Sequence, residues 1–158
     1  MKFTIGPIDG VIIKDLKKYV DERGWLCELF RKDEVEKDHL PVMSYISVTY
    51  PGVIRGPHEH ETQTDYFCFL GPSNFKLCLW DNRKRSKSYG NTLTKYFGED
   101  FPAMVIVPPG VVHGYKNIGI TSGTVVNFPN KLFAGEKRKD IVDEIRHETD
   151  PNSPFRID

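Results

Sequence analysis

The chain has 158 residues, the size of one domain, and can bury a core without disulfides or a structural metal. Its 22 Lys and Arg residues balance 22 Asp and Glu residues, and this net charge of zero argues against a nucleic acid or membrane partner. No apolar run approaches the roughly 20 residues that span a bilayer, and a secretory signal is lacking, so we expect a cytoplasmic protein.

Short segments rich in aromatic and branched residues recur between turn-forming residues, which is typical of an all-β domain. In chain order they are Trp25–Phe30, Met43–Thr49, Tyr66–Leu70, Phe75–Trp80, Ala103–Val107 and Thr124–Phe128. Glycine and proline lie between these segments rather than within them. In Phe75–Trp80 the second face carries Cys78 and Trp80, so both faces are expected to be covered. We predict one domain over residues 1–158, a two-sheet sandwich or a barrel.

Two other segments are assigned to the periphery. Lys139–His147 carries Ile141, Val142 and Ile145 at helical spacing, which predicts a small peripheral helix. The charge run Asn82–Ser88 lacks interleaved aromatic residues and follows a strand, so it is expected to be a solvated hairpin loop.

Three of the five histidines lie beside glycines and prolines, in Gly52–His60 and in Pro108–Tyr115. His58 and His60 are two residues apart and share one face if the segment is extended. With Asp65 and His113 they form a set of three imidazoles and a carboxylate. Such a set could hold a divalent transition metal, and imidazole is equally suited to move a proton near neutral pH.

The two motifs resemble those of the cupin superfamily of small jelly-roll (double-stranded β-helix) barrels. The first cupin motif is matched by Gly52, His58, His60 and Asp65, with aspartate where glutamate is usual, and the second by Pro108, Gly110, His113 and Asn117. The resemblance implies a cupin barrel for the whole chain.

A closer resemblance is to the dTDP-4-dehydrorhamnose 3,5-epimerase family. It is carried, in order, by Asp21–Glu28, Gly52–His58, Ser88–Gly90, Val107–Tyr115 and Asp150–Pro151. The resemblance implies a homodimer that acts on nucleotide-linked 4-keto-6-deoxy sugars without a metal or other cofactor. It also implies a place in the synthesis of surface polysaccharides such as lipopolysaccharide O-antigen.

The same resemblance assigns roles to single residues. His58 matches the family's catalytic base, and His113 matches a second histidine that would hydrogen-bond to the ketone oxygen or the developing enolate. Arg55 matches an arginine that binds the pyrophosphate, and Arg23 matches a second one that reaches in from the neighbouring subunit.

Glu28 and Leu26 fall at positions where the family contacts the nucleotide base. Changes elsewhere in the predicted pocket, at Met43, Tyr45 and Asp65, leave both dTDP and CDP open as the nucleotide. The family also pairs its base with an aspartate, for which Asp65 is the candidate here.

One departure from the family concerns the catalytic acid. The family has a tyrosine thirteen residues after the second histidine, which falls here on Val126. The proton would then come from water, or from Tyr45, Tyr50, Tyr66 or Tyr115 on other segments. This departure favours epimerisation at C3 alone.

Two other functions stay open on the sequence. A metal-dependent cupin enzyme would use His58, His60, Asp65 and His113 as ligands. A non-catalytic cupin that binds nucleotide sugars would explain the absent tyrosine.

Overall fold

The computed structural model describes residues 2–158, and this range contains thirteen strands. They are β1 (Thr4–Ile5), β2 (Ile12–Asp15), β3 (Lys18–Asp21), β4 (Gly24–Cys27), β5 (Tyr45–Thr49), β6 (Ile54–Glu59), β7 (Asp65–Phe69), β8 (Asn74–Asp81), β9 (Asn91–Gly98), β10 (Ala103–Val107), β11 (Val111–Asn117), β12 (Gly123–Asn127) and β13 (Ile145–Arg146). Single turns of 3₁₀ helix lie at Lys32–Glu34, Lys37–His39, Glu136–Arg138 and His147–Thr149. Within residues 2–158, no helix has the length and apolar character needed to cross a membrane.

Two sheets face each other across the core. One has six strands in the order β1-β9-β8-β11-β6-β13, and the other has five in the order β2-β10-β7-β12-β5, while β3 and β4 form a separate hairpin. The pairing is antiparallel everywhere except between β1 and β9. The predicted all-β cupin barrel is confirmed.

The core takes its side chains from the central strands of both sheets. Every residue of β7 and of β10 is buried. On β8, Leu77 and Leu79 face this core, whereas Cys78 and Trp80 pack in a second cluster with Phe155. Both faces of β8 are therefore covered, as its imperfect alternation predicts, and the carboxyl-terminal segment covers the outer one.

The packing of Phe155 in this outer cluster is tested by substitution. Phe155 is 4% exposed, and its ring centroid lies 5.7 Å from that of Trp80. We expect Phe155→Ala to lower the free energy of unfolding by about 3 kcal/mol because it leaves a cavity, as measured by urea denaturation. The control is Phe101→Ala, since Phe101 is 71% exposed. Equal losses in the two variants would contradict the assignment of Phe155 to the core.

The predicted strands all occur, as β4, β5, β7, β8, β10 and β12, with ends displaced by up to three residues. The largest displacement is at β4, which ends at Cys27 instead of Phe30. Leu29 and Phe30 leave the strand and pack against the cluster around Tyr66. Because Leu29 and Phe30 are packed against this cluster although they lie outside a strand, their apolar character wrongly predicted that the strand continues to Phe30.

The predicted helix over Lys139–His147 is wrong. Ile141 is 97% exposed, so the helical spacing of apolar residues does not reflect a buried face. The Asp143 carboxylate instead accepts hydrogen bonds from the backbone N–H groups of Glu61, Thr62 and Gln63. Nine residues form too short a helix to be stable alone, and these tertiary hydrogen bonds hold the segment in an irregular path across the end of the barrel.

The charged loop and the three cysteines take no part in the wall of the cavity described below. In the turn between β8 and β9, Lys84 and Arg85 are exposed, while Arg83 bonds to the buried Asp81. Cys27, Cys68 and Cys78 are free thiols, and burial raises the pKa of Cys68 to about 12. A thiol with so high a pKa is unreactive near neutral pH.

Candidate active site

A large cavity opens at the end of the barrel where β5 begins and β6 ends. Its volume is about 1010 Å³, and its wall includes Tyr45, His58, His60 and Gln63 together with residues 129–136 and 140–144. Asp65 and His113 lie directly behind the two histidines and are 1% and 2% exposed. The cavity has room for a sugar and combines apolar walls with a small group of polar side chains, as ligand sites commonly do.

The strand pairing explains how the histidine motifs meet. β6 pairs with β11 so that His58 stands opposite His113. Gly56, between Arg55 and His58, has φ of 79°, and a Cβ there would lie 2.7 Å from the His113 carbonyl oxygen. Only glycine allows the two strands to approach this closely, which accounts for the glycine in the first motif. His58 and His60 both lie in the cavity wall, in agreement with the prediction that they share one face.

Asp65 joins two of the three histidines. Its Oδ2 lies 3.1 Å from His60 Nε2 and 3.1 Å from His113 Nε2. Its Oδ1 accepts hydrogen bonds from the side-chain amides of Gln63, at 2.9 Å, and Asn127, at 2.8 Å. Burial would raise the pKa of Asp65, but the contacts with His113 and His60 outweigh burial and hold that pKa well below its usual range.

Backbone carbonyl groups fix the orientation of the His60 and His113 rings. His113 Nδ1 lies 3.0 Å from the Val111 carbonyl oxygen, and His60 Nδ1 contacts the Asp143 carbonyl oxygen. Because a carbonyl oxygen only accepts, each Nδ1 is the donor and each Nε2 points toward Asp65. His113 therefore has both ring nitrogens directed at protein atoms, a geometry that does not support its expected role as a donor to a substrate ketone.

His58 has a different environment from the other two histidines. Its Nδ1 lies 3.6 Å from Glu144 Oε1, and its ring centroid lies 4.5 Å from that of His113. Burial, followed by the nearby His113 and His60, lowers the pKa of His58 to about 2. His58 is therefore neutral near pH 7, the form in which an imidazole nitrogen accepts a proton.

The carboxylate that pairs with His58 is thus not the expected one. Among the histidine–carboxylate contacts of residues 2–158, Asp65 contacts His60 and His113, and Glu144 is the partner of His58. The physical reason is the position of Asp65 at the start of β7, which places its carboxylate behind the histidines. Glu144 comes from the irregular segment that replaces the predicted helix.

Only one of the four candidate tyrosines reaches the cavity. Tyr45 lies in the cavity wall, and its hydroxyl accepts a hydrogen bond of 2.9 Å from the Asn127 side chain. Tyr115 is buried with its hydroxyl 2.7 Å from Ser47 Oγ, and Tyr66 donates to the Leu29 carbonyl oxygen. Tyr50 is 69% exposed and takes no part in the wall.

Val126 does not face the site. It packs against the outer cluster that contains Tyr66, whereas Asn127, the next residue on β12, is buried beside Asp65. Successive side chains of a strand point to opposite faces, so a tyrosine at position 126 would point away from the cavity. A phenol does lie beside Asn127: β5 pairs with β12 so that Tyr45 stands opposite Asn127.

The four residues expected to bind the nucleotide lie outside the cavity wall of the single chain. Arg55 donates from Nε to Thr49 Oγ1 at 2.9 Å and from Nη2 to the Val48 carbonyl oxygen at 2.6 Å. Arg23 pairs with Asp21 at the tip of the exposed β3–β4 hairpin, and Leu26 is 63% exposed on β4. Glu28 lines a smaller pocket of about 220 Å³ beside that hairpin.

Several site residues carry no recognisable signal in the sequence. Gln63 and Asn127 are single polar residues, and Asp143 and Glu144 lie in a segment that resembles a helix. The Asp143 carboxylate accepts a hydrogen bond from the backbone N–H of Glu61, 82 residues earlier in the chain. No local sequence pattern reveals a contact over that separation. The cluster of His58, His60, Asp65 and His113, in contrast, is brought together as predicted, with one ligating atom from each within 4.8 Å of the others.

Comparisons with known proteins identify the family of this chain. The family model described as dTDP-4-dehydrorhamnose 3,5-epimerase matches residues 6–141. The spore coat polysaccharide biosynthesis protein SpsL of Bacillus subtilis is 42% identical over 126 residues, which cover 80% of this chain and 82% of SpsL. The probable low-salt glycan biosynthesis epimerase Agl13 of Haloferax volcanii is 38% identical over 128 residues, covering 80% of this chain and 81% of Agl13.

A solved structure, the dTDP sugar isomerase of Desulfovibrio desulfuricans, shares the fold with a TM-score of 0.80 at 20% identity, over 94% of this chain and 91% of that chain. On the match of residues 6–141 and the identity to these relatives, the chain belongs to the dTDP-4-dehydrorhamnose 3,5-epimerase family, whose members are isomerases.

Proposed function

We propose that this protein is a nucleotide-sugar epimerase that inverts C3 of a nucleotide-linked 4-keto-6-deoxyhexose in the synthesis of a deoxysugar for a surface polysaccharide. The observation that carries the proposal is the neutral imidazole of His58, paired with Glu144, in a cavity wall that also holds the hydroxyl of Tyr45. Family membership and the polysaccharide and glycan roles named for SpsL and Agl13 support it.

The reaction needs one base and one acid. The C4 ketone acidifies the hydrogen on C3, so His58 can remove it as a proton while the electron pair of the C–H bond forms the C3–C4 double bond of an enolate. Protonation of C3 from the opposite face then inverts the centre and restores the ketone. No oxidant or reductant is consumed, because the substrate and the product are isomers.

Tyr45 is the proposed acid. Partial burial, together with the charge on Asp65, raises the pKa of Tyr45 to about 12, so the hydroxyl keeps its proton near neutral pH. The Asn127 amide donates to the phenol oxygen and fixes its position. After it gives its proton to C3, the phenolate would regain one from His58 through solvent in the open cavity.

Glu144 is a positioning residue for His58. The low pKa of His58 makes its imidazolium form costly, and a carboxylate 3.6 Å from Nδ1 offsets part of that cost. We expect Glu144→Gln to lower kcat about tenfold with little change in KM, because the carboxylate acts only when His58 carries the proton. Steady-state kinetics on the 4-keto substrate measures kcat and KM separately.

Two variants make the Glu144 test specific. Glu144→Asp should recover part of the lost kcat, and Glu148→Gln, on the exposed turn after β13, should leave kcat unchanged. A rise in KM with normal kcat in Glu144→Gln would contradict the assigned role and would make Glu144 a substrate contact.

A homodimer is part of the proposal. The edge strand β5 exposes Ile46 and Val48, and Tyr50, the residue after it, is exposed as well. The β3–β4 hairpin exposes Val20 and Trp25. Apolar side chains on a free sheet edge favour association with another chain. A second copy of this protein on that edge would carry its hairpin toward the neighbouring cavity, where the Arg23 guanidinium could bind the pyrophosphate.

The proposal is tested by incubating the protein with dTDP-linked and CDP-linked 4-keto-6-deoxyglucose and determining the product configuration by NMR. We expect inversion at C3, with faster turnover on one of the two nucleotides. Binding of both substrates without any inverted product would favour a sugar-binding protein and contradict the proposed enzyme.

A further inference from the structure

A short segment of the chain places Glu144 beside His58. This strap, residues 143–147, includes β13, which pairs with β6 along the edge of the six-stranded sheet. Glu144 lies just before β13 and is partly buried. Polar contacts fix the strap at its two ends, through Asp143 and His147. We propose that Asp143 and His147 are positioning residues, which hold the Glu144 carboxylate at the ring of His58.

Burial of apolar side chains does little to hold the strap in place. Ile145 is its one apolar residue and is exposed, as are Ile141 and Val142 just before the strap. A segment with so little buried apolar surface opens readily unless other contacts retain it. The hydrogen bonds at the two ends therefore decide where Glu144 lies.

The contact at the start of the strap is made by the Asp143 carboxylate. It accepts hydrogen bonds from the backbone N–H groups of Glu61, Thr62 and Gln63 at 2.7, 2.9 and 3.0 Å, and one from the Thr62 hydroxyl at 2.6 Å. Successive N–H groups in a turn form a concave anion site, and hydrogen bonds to a charged acceptor are among the strongest in proteins. The Asp143 carbonyl oxygen also accepts from His60 Nδ1. One residue thus ties the strap both to the turn after β6 and to a ring of the histidine cluster.

The contact at the end of the strap is made by the His147 ring. Its Nε2 lies 2.8 Å from Glu59 Oε1, and Nε2 is the donor because a carboxylate only accepts. The same oxygen accepts from the Asn82 side chain at 2.8 Å, so the buried Glu59 carboxylate is itself held in place. Glu59 directly follows His58 on β6, and its side chain takes no part in the cavity wall. His147 therefore anchors the strap from the side of β6 that faces away from the cavity.

Between these two contacts, the Glu144 carboxylate is turned toward His58. The Arg146 guanidinium donates from Nε and Nη2 to Glu144 Oε2 at 2.9 and 2.8 Å. The other oxygen, Oε1, lies 3.6 Å from His58 Nδ1. The register of β13 sets this arrangement, because Arg146 stands opposite His58 on β6. Since β13 has only two residues, its pairing needs both end contacts, and release of either would draw the carboxylate away from the ring.

The first test observes the His58 ring by ¹⁵N NMR in full-length protein labelled with [¹⁵N]histidine, without substrate. The ring signals respond to a carboxylate beside Nδ1, so Glu144→Gln defines the spectrum of His58 without its partner. We expect Asp143→Ala and His147→Ala to shift the His58 signals in the same direction as Glu144→Gln. The signals are assigned by their loss in His58→Asn.

Two control variants make the ¹⁵N test specific. His147→Gln keeps an amide that can donate to Glu59, so the His58 signals should stay close to those of wild type. Glu148→Gln changes an exposed carboxylate one residue beyond the strap and should leave the signals unchanged. A shift in Glu148→Gln as large as that in His147→Ala would overturn the assignment of His147.

The second test is a double variant measured on the 4-keto substrate, and it rests on the proposed function. Asp143→Ala and Glu144→Gln should each lower kcat about tenfold with little change in KM. Because Asp143 acts through Glu144, the double variant should lose no more than either single variant. Independent effects would instead multiply, to about 100-fold.

Failure of the strap and failure of the enzyme give different results. Unchanged His58 signals in folded Asp143→Ala and His147→Ala would overturn the positioning role, and so would a multiplicative loss of kcat in the double variant. Circular dichroism shows whether each variant is folded, and His147→Ala decides the question if Asp143→Ala does not fold. The expected ¹⁵N shifts without product from any 4-keto substrate would uphold the hold on Glu144 and reject the epimerase.

Discussion

His58→Asn will lower the rate of proton exchange at C3 of the substrate by about 10²- to 10⁴-fold, the range that general base catalysis contributes. Asparagine keeps a polar group of similar reach in the cavity wall but cannot accept a proton near neutral pH. The loss should appear in kcat more than in KM, because the ring acts on the proton rather than on substrate affinity. The rate is measured by proton NMR as the C3 signal disappears in D2O.

His39→Asn is the matched control for this loss. His39 lies on a 3₁₀ turn outside the cavity wall, so the same substitution there removes an imidazole without changing the site. We expect exchange at the wild-type rate in this variant. Exchange within tenfold of wild type in folded His58→Asn would remove His58 from the reaction and leave the base unassigned.

Tyr45→Phe will separate proton exchange from inversion. His58 still removes and returns the C3 proton in this variant, so deuterium continues to enter at C3. The opposite face lacks its donor, so formation of the C3-inverted product should fall about 10²-fold. The measurement is the ratio of deuterium incorporated into substrate to inverted product formed over one time course.

Tyr50→Phe provides the comparison, because Tyr50 directly follows β5 but is 69% exposed and outside the cavity wall. Its ratio of exchange to inversion should equal that of wild type. An unchanged ratio in Tyr45→Phe would show that the proton comes from water or from another group, and the proposed acid would be wrong.

The sequence predicts the parts of this site whose chemistry lies in short motifs. Gly56 is needed where β6 passes close to the His113 carbonyl oxygen, and the two-residue spacing places His58 and His60 on one face. Both constraints are local, since they depend on backbone sterics and strand period. The rhythm of apolar segments and turns predicts a sandwich or a barrel for the same reason, and the resemblance to cupins implies the barrel.

The remaining site residues depend on contacts that no local pattern reveals. Glu144 reaches His58 because the Asp143 carboxylate binds three successive backbone N–H groups after β6, and the apolar spacing around Ile141 concealed this arrangement. Counting thirteen residues from His113 places the family's catalytic tyrosine at Val126. That count does not reveal which face of β12 each residue occupies, and the inward position belongs to Asn127.

The structure places His58 in different surroundings from the other two histidines of the motifs. His58 is at the cavity wall with a carboxylate on its outer nitrogen, whereas His60 and His113 face Asp65 behind it.

The central claim is that this site removes and returns the proton at C3 of a 4-keto sugar. It is tested most directly by incubating the wild-type protein with the preferred nucleotide-4-keto-6-deoxyglucose in D2O and locating the deuterium by NMR. We expect one deuterium, at C3, together with inversion at that carbon. Deuterium at C5 as well would contradict the restriction to one centre, and the absence of deuterium at every carbon would contradict the epimerase itself.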